Sequence, residues 1–145
     1  MRYRLALVLA LLLAPAAVPA FAQDHDSRVR DLLRQIGIVD EARHAVEQHL
    51  FALRDARQDV YGEFWVEFMS TVRPGRLLDA LTTHFAARLT DDEIEALERL
   101  CEEPEGVEAL RAWTGAMPEA AAIRVAWETR VDEELEAELA KRGYD

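Results

Sequence analysis

The sequence predicts an all-α protein, a single compact bundle of about five to seven helices. Two observations predict this class. Apolar residues recur at spacings of three and four along nearly the whole chain, which is the spacing of one face of an α-helix. No stretch alternates apolar and polar residues for long enough to indicate a β-sheet. Because no repeat or low-complexity tract interrupts the 145 residues, we expect residues 23–145 to form one domain.

The first 22 residues have the pattern of a secretory signal peptide. The basic segment Met1–Arg4 precedes the apolar run Leu5–Ala14, and Ala20–Ala22 supplies the small-x-small motif that signal peptidases cleave. The apolar run is too short for a membrane anchor, which needs roughly 20 residues. We therefore predict cleavage after Ala22 and a location in the periplasm.

The first half of the mature chain predicts three helices. A helix over Ser27–Ile36 is followed by Gly37, which suits a left-handed C-terminal position. Asp40 is the expected N-cap of a second helix that reaches Arg57. The third helix carries the richest aromatic face of the chain, with its apolar side chains at helical spacing: Tyr61, Phe64, Trp65, Phe68, Met69 and Val72.

Pro74 and Thr90 mark the next two helix starts. Proline suits a first helical turn, so Pro74 opens a helix that we expect to end near Arg88. Thr90 and Glu93 then have the spacing of a capping box, in which each residue satisfies a backbone N–H of the other. This is the best-defined helix start in the mature chain.

Proline and glycine residues divide the last part of the sequence. Pro104 and Gly106 break the chain after the Thr90 helix, and Gly115 and Pro118 break it again. A short helix should lie between these two breaks. The final helix reaches Arg142 and is closed by a glycine, with Pro118 marking either a kink or a full break.

The charge of the chain excludes two classes of partner. Removing residues 1–22 removes two arginines and no acidic residue, which takes the formal net charge from −11 to −13. Binding to nucleic acids and to anionic lipids depends on Lys and Arg that neutralise phosphates, so we expect neither partner once the signal is removed. The single cysteine excludes an intrachain disulfide.

Several segments resemble the small exported bacterial proteins grouped as domain-of-unknown-function family 2059. The string LTDDEIEAL at Leu89–Leu97, the Pro-x-Gly turn within Glu103–Gly106 and the later Pro118 match the recurrent pattern of that family. The string DLLRQIG at Asp31–Gly37 resembles its opening helix. The chain departs from the pattern at Leu100–Cys101, where the family typically has Phe-Tyr, and at Glu103, where Ser is common, so a role of an aromatic hydroxyl there does not carry over. The resemblance implies an exported helical bundle and implies no chemistry.

A metal site is conceivable at the mature N-terminus. Cleavage after Ala22 leaves Gln23, Asp24 and His25, and a free amine, two backbone amides and a third-position imidazole can bind Cu(II) or Ni(II) in a square plane. The alternative interpretation is that the terminal glutamine cyclises, which removes the ligating amine, and that His25 binds no metal.

For the other histidines and for the cysteine, we predict structural roles rather than functional ones. His44 and His49 lie about 140° apart around a helix, so they do not chelate together. His49 falls on the apolar stripe and is expected at the core or its boundary, whereas His84 lies near a helix end where a positive imidazole suits the dipole. Cys101 is expected to be a small buried hydrophobe.

Two surfaces are candidates for partner binding. Residues 91–108 contain nine acids against Arg99, a local charge of −8, which we call the acidic surface. Most such runs are solvated, but this one is also suited to docking a basic partner. Aromatic side chains that the bundle leaves uncovered would form a groove for an apolar segment. The residues concerned are Asp91, Asp92, Glu95, Tyr61, Phe64, Trp65 and Phe68.

The resulting prediction is a non-enzymatic periplasmic module that binds a protein or peptide with a basic or apolar surface. The sequence has no Gly-rich phosphate loop, paired-Cys metal site or Ser/His/Asp pattern, and we expect no cofactor. The alternative is a periplasmic metal-binding protein that uses His25 and the acidic surface. A third possibility, an uncharacterised hydrolase, lacks a recognisable cluster of acid, base and nucleophile.

Overall fold

The computed structural model describes the backbone of residues 20–144 and the side chains of residues 24–144. Most of the predicted signal peptide lies outside the described residues. Over the described part the chain forms seven helices and no strand, which confirms the all-α class. The helices are α1 (Ala20–Ile36), α2 (Ile38–Ala56), α3 (Gly62–Thr71), α4 (Pro74–Ala86), α5 (Asp91–Leu100), α6 (Pro104–Ala116) and α7 (Pro118–Lys141).

The helix starts predicted at Pro74 and Thr90 are confirmed, and the breaks predicted at Pro104 and Pro118 also begin helices. Pro74, Pro104 and Pro118 each occupy the first turn of a helix, where a backbone N–H is not needed. At the start of α5 the Thr90 hydroxyl accepts from the Glu93 N–H at 3.3 Å, and the Glu93 carboxylate accepts from the Thr90 N–H at 2.8 Å. The capping box is therefore complete.

The start of α2 differs from the prediction. Gly37 has the expected left-handed conformation, with φ at 71°, but α2 begins immediately after it at Ile38. The Gly37 carbonyl already accepts from the Glu41 N–H at 3.0 Å, and Ile38 is buried. Asp40 is therefore wrong as the N-cap, although it still favours the positive end of the helix from within the first turn.

The core is built around α1 and α4, which have the most extensive contact in the bundle. α4 also packs against α7, α2 packs against α3 and α4, and α6 contacts both α1 and α7. Each large aliphatic side chain that is fully buried contributes about 1.5–3 kcal/mol. The largest of these side chains come from five of the seven helices: Val29, Ile36, Leu50, Leu77, Leu81, Ile94 and Leu135.

α5 and α6 approach each other closely at Gly106. This glycine is buried, and a Cβ built on it would lie 1.9 Å from the carbonyl oxygen of Leu100. Gly115, in the last turn of the same helix, would have no atom within 4 Å of an added Cβ. Close packing thus requires glycine at position 106 but not at position 115.

Pro118 begins a separate helix rather than a kink. Met117 is the single residue between α6 and α7, and its extended backbone closes the first helix and precedes the second. The following turns bury Trp127, whose indole N–H donates to the Arg73 carbonyl at 3.3 Å. This bond ties α7 to the residue that precedes α4.

Candidate functional site

A cleft of about 580 Å³ lies between α3 and the C-terminal half of α7, and we call it the α3–α7 cleft. Its volume is in the range of sites that hold a small ligand or a few side chains of a peptide. Its lining combines two aromatic rings, hydroxyls, carboxylates and two cations: Phe64, Glu67, Phe68, Ser70, Thr71, Glu134, Ala137, Glu138, Lys141 and Arg142.

Phe64 and Phe68 form the floor of the cleft. They are four residues apart on α3, and their rings stack with centroids 6.1 Å apart. Trp65 contacts Phe64 edge-on at 5.4 Å on the side of α3 that faces the core. Tyr61 precedes the helix and is 78% exposed, outside the cleft lining.

These positions correct the predicted aromatic groove. Phe64 and Trp65 are each 3% exposed and Phe68 is 5% exposed, so a surface made by all three rings is wrong. The physical reason is that their spacing matches one helix face, which α3 packs inward. Phe64 and Phe68 nevertheless line the α3–α7 cleft, whereas Trp65 does not.

Arg142 dominates the charged rim of the cleft. Its guanidinium lies 5.2 Å above the Phe64 ring centroid and donates to the Glu67 carboxylate at 2.7 Å and to Glu138 at 3.1 Å. Hydrogen bonding to Glu67, and then to Glu138, raises the pKa of Arg142. Arg142, and then Lys141, lowers the pKa of Glu138. The rim therefore already recognises one guanidinium group.

The remaining polar groups of the cleft are satisfied locally. The Ser70 hydroxyl donates to the Glu67 carbonyl at 2.6 Å, and the Thr71 hydroxyl donates to the Phe68 carbonyl at 2.7 Å. Glu134 accepts from Arg76 at 3.0 Å. The chemistry that this lining offers is binding, because its rings can contact apolar or cationic groups and its carboxylates accept N–H donors.

The three acids predicted for the acidic surface have different environments. An Asp91 carboxylate oxygen lies 2.7 Å from His25 Nδ1 and 3.9 Å from Arg28 Nη1. Glu95 accepts from Arg99 at 3.1 Å. Asp92 is exposed and has no ion pair within the described part of the chain. Asp91 and Glu95 are thus exposed but paired within the chain, and Asp92 is the one of these three acids without an ion pair.

The negative charge available to a partner lies farther along the same segment. Asp92 and four glutamates of the acidic surface are exposed, and among residues 24–144 no basic side chain pairs with them. These acids are Asp92, Glu102, Glu103, Glu105 and Glu108. A cluster of solvated, uncompensated carboxylates attracts basic molecules over about one Debye length, roughly 8–10 Å.

His25 lies between α4 and α5. Its Nδ1 faces the Asp91 carboxylate and its Nε2 lies 3.1 Å from the Ala86 carbonyl at the end of α4. Both partners are acceptors, so the doubly protonated ring satisfies both contacts, and the Asp91 hydrogen bond raises the pKa of His25. We call this arrangement the His25 clasp.

The clasp competes with the predicted metal site. Chelation through His25 requires a ring nitrogen that is now engaged with Asp91 or with the Ala86 carbonyl. Within the described residues no three His, Cys, Asp or Glu side chains come together in a way that could hold a metal ion. Metal binding at the mature N-terminus stays a prediction, and it would have to open the clasp.

Two arginines reinforce the attachment of α1. Arg28 donates to both carboxylate oxygens of Glu98 on α5, at 3.0 and 2.7 Å, and Arg30 lies 2.7 Å from Asp79 on α4. The Arg28 hydrogen bonds lower the pKa of Glu98. Part of the acidic surface is therefore used to hold α1 in place.

The remaining predicted residues have mixed outcomes. His49 is wrong as a member of the buried stripe, because its side chain is 51% exposed and lies 3.3 Å from Asp132 on α7. His84 is half-buried, and burial followed by nearby Arg88 lowers its pKa, so the positive imidazole predicted there is disfavoured. Cys101 is 4% exposed, which confirms the prediction of a buried thiol, and burial raises its pKa.

Two further observations bear on the class of protein. Among the described residues no helix is both long and apolar enough to cross a bilayer. In comparisons with protein-family models, with curated proteins and with solved structures, the chain matches none of them.

Proposed function

We propose that this protein is an exported, non-enzymatic binding module that captures a peptide or protein segment carrying apolar and basic side chains. The docking site in this proposal is the α3–α7 cleft. The observation that carries the proposal is the composition of that cleft, in which an aromatic floor made by Phe64 and Phe68 adjoins the carboxylates of Glu67, Glu134 and Glu138. Such a lining suits an apolar side chain flanked by a cation.

The end of α3 adds a second attraction for a cation. The last turn of this helix, which includes Ser70 and Thr71, lines the cleft. Carbonyl groups at a helix C-terminus carry partial negative charge and favour Lys or Arg side chains. The last turn contains no basic residue of its own. A basic side chain of the partner would supply the missing complement.

The acidic surface supports the same choice of partner. After cleavage the formal net charge of −13, with uncompensated acids from Asp92 to Glu108, speeds the encounter with a basic molecule. Long-range attraction of this kind affects association rate and salt dependence more than the final affinity. In this proposal the acidic surface guides the partner and the cleft binds it.

Export and family membership are parts of the proposal that the sequence supports. The signal-peptide pattern of residues 1–22 favours the periplasm, and the resemblance to domain-of-unknown-function family 2059 favours an exported helical protein. Identification of the N-terminus of the protein purified from the envelope of the producing cells tests the cleavage after Ala22.

A substitution that fills the cleft tests the binding proposal. Ala137 is exposed and lines the cleft, so Ala137→Trp should obstruct it without entering the core. Ala52 is exposed on α2 and lies outside the cleft lining, so Ala52→Trp is the matched control. Both variants keep the net charge of the wild type.

The assay is fluorescence anisotropy with short synthetic peptides that combine an aromatic or aliphatic residue with Arg or Lys. Their counterparts carry Glu in place of the basic residues. We expect the basic peptides to bind wild type and Ala52→Trp, and to lose about tenfold in affinity with Ala137→Trp. Equal binding of the acidic peptides, or an unchanged affinity for Ala137→Trp, would contradict the proposal.

A further inference from the structure

The C-terminal residues Arg142, Gly143 and Tyr144 fold back over the floor of the α3–α7 cleft. Gly143 has φ at 81°, a left-handed conformation that turns the chain after α7. The Tyr144 N–H then donates to the Leu139 carbonyl at 3.0 Å. This turn brings the Tyr144 ring to 6.0 Å from the Phe64 ring, beside the Arg142 guanidinium. We call these three residues the C-terminal latch.

The contacts of the latch are those that the cleft would offer to another molecule. A guanidinium lies over the Phe64 ring and donates to carboxylates on two different helices, Glu67 of α3 and Glu138 of α7. An aromatic ring two residues later contacts the edge of the same phenylalanine. The chain itself therefore displays an Arg-x-aromatic segment bound at this site.

The ion pair that holds the Arg142 side chain is exposed, although Tyr144 packs against the edge of the core. The side chains of Arg142 and Glu67 are 40% and 52% exposed, and ion pairs between exposed groups are weak and sensitive to salt. The backbone bonds that end α7 run from the Arg142 N–H to the carbonyls of Glu138 and Leu139, and they do not involve the arginine side chain. Release of the guanidinium leaves the end of the helix intact.

We propose that the C-terminal latch is an internal placeholder for the ligand, which a partner segment containing arginine followed closely by an aromatic residue displaces. The inference rests on the proposed function, because it assigns the kind of segment that the cleft receives. Arginine fits better than lysine, since a planar guanidinium can stack on Phe64 while it donates to two carboxylates. The latch thus sets the threshold affinity that a partner must exceed.

The probe for this inference is a fluorescent peptide with the sequence LAKRGYD, identical to residues 139–145. In the intact protein this peptide competes with a tethered copy of itself, whose effective concentration is on the order of millimolar. Arg142→Ala removes the competing guanidinium and keeps the chain otherwise complete. Arg54→Ala is the control with the same charge change, because the Arg54 guanidinium also lies over a phenylalanine ring, Phe51, and pairs with Asp55, outside both the cleft and the acidic surface.

We expect Arg142→Ala to bind LAKRGYD about fivefold to tenfold more tightly than wild type, as loss of one weakly held competitor implies. Arg54→Ala should bind as the wild type does, and a peptide with Glu in place of its arginine should not bind. Deletion of residues 142–145 is the second variant and should show at least the same gain. Far-UV circular dichroism verifies that both variants keep their helices.

Two outcomes would overturn the latch and are distinct from failure of the proposed function. In the first outcome, LAKRGYD binds wild type and Arg142→Ala with equal affinity, and adding Ala137→Trp to either protein lowers that affinity. The cleft would then bind such peptides, but the latch would not compete with them. If LAKRGYD binds neither protein while other basic, apolar peptides still bind the cleft, the Arg-x-aromatic specificity is wrong. Failure of every basic, apolar peptide would instead contradict the proposed function itself.

Discussion

Replacement of Gly106 by alanine should destabilise the protein far more than a glycine-to-alanine change normally does. The added Cβ would lie 1.9 Å from the Leu100 carbonyl oxygen and 2.9 Å from its carbonyl carbon, whereas ordinary contacts begin at 3.4 Å. Because the obstacle is backbone, a side-chain rotation cannot relieve it. The start of α6 and the end of α5 would have to separate by about 1.5 Å.

The expected cost follows from this displacement. Overpacking in a well-packed site costs typically 1–3 kcal/mol, and a rigid backbone obstacle corresponds to the upper end, about 3 kcal/mol. Alanine regains up to about 1 kcal/mol through its higher helix propensity. The net loss in the free energy of unfolding is therefore about 2–3 kcal/mol, or roughly 10 °C in Tm for a domain of this size.

Urea unfolding followed by far-UV circular dichroism measures this loss, with Gly115→Ala as the matched control on the same helix. Gly115 has open space around an added Cβ, so its replacement should be neutral or stabilise by up to about 1 kcal/mol. The changes in the free energy of unfolding caused by the two substitutions should have opposite signs or differ by at least about 2 kcal/mol. A Gly106→Ala protein within 0.5 kcal/mol of wild type, on the order of the error of such measurements, would refute the close approach of α5 and α6.

Three further predictions concern pH, reactivity and capping. Because the pKa of His25 is raised in the folded state, the His25 clasp stabilises the fold fully below the ordinary pKa of 6.5. This stabilisation is lost as the pH rises through the higher pKa of the folded state. In urea unfolding, His25→Gln should therefore lower the free energy of unfolding more at about pH 5.5 than at about pH 8.5. An equal cost at both pH values would contradict the clasp with Asp91. The Cys101 thiol should react with an aromatic disulfide reagent about a hundredfold more slowly in the native protein than in urea, and comparable rates would show that it is accessible. Thr90→Ala should lower the free energy of unfolding by about 1 kcal/mol because it breaks the reciprocal bonds with Glu93, and an unchanged urea midpoint would count against the capping box.

Much of the fold could be predicted because its determinants are local. Proline at a first helical turn, a left-handed Gly37 and the Thr90 capping box each act within a few residues, and all are observed. The error at Asp40 is also local in origin. An N-cap at Asp40 would begin α2 at Glu41, whereas burial of Ile38 favours a helix that begins three residues earlier, directly after Gly37.

The candidate site could be predicted only in part because it depends on distant residues. Helical spacing predicts that Phe64 and Phe68 share a face, but the cleft they line exists because α7 returns to α3, which brings Arg142 to Glu67 across 75 residues. The pairing of His25 with Asp91 across 66 residues likewise removed one acid from the predicted docking surface. Periodicity predicts which side of a helix is apolar, but it contains no information about which charged groups meet across the bundle.

The central place of α1 has a consequence for the order in which the chain acquires structure. α1 is made first on the ribosome, yet its ionic partners Asp91 and Glu98 follow His25 and Arg28 by 66 and 70 residues. For most of synthesis the first helix therefore has an apolar face and no α4 or α5 to cover it. Bundle formation therefore has to wait until more than half of the chain has emerged, and the apolar face of α1 lacks its native neighbours during that interval.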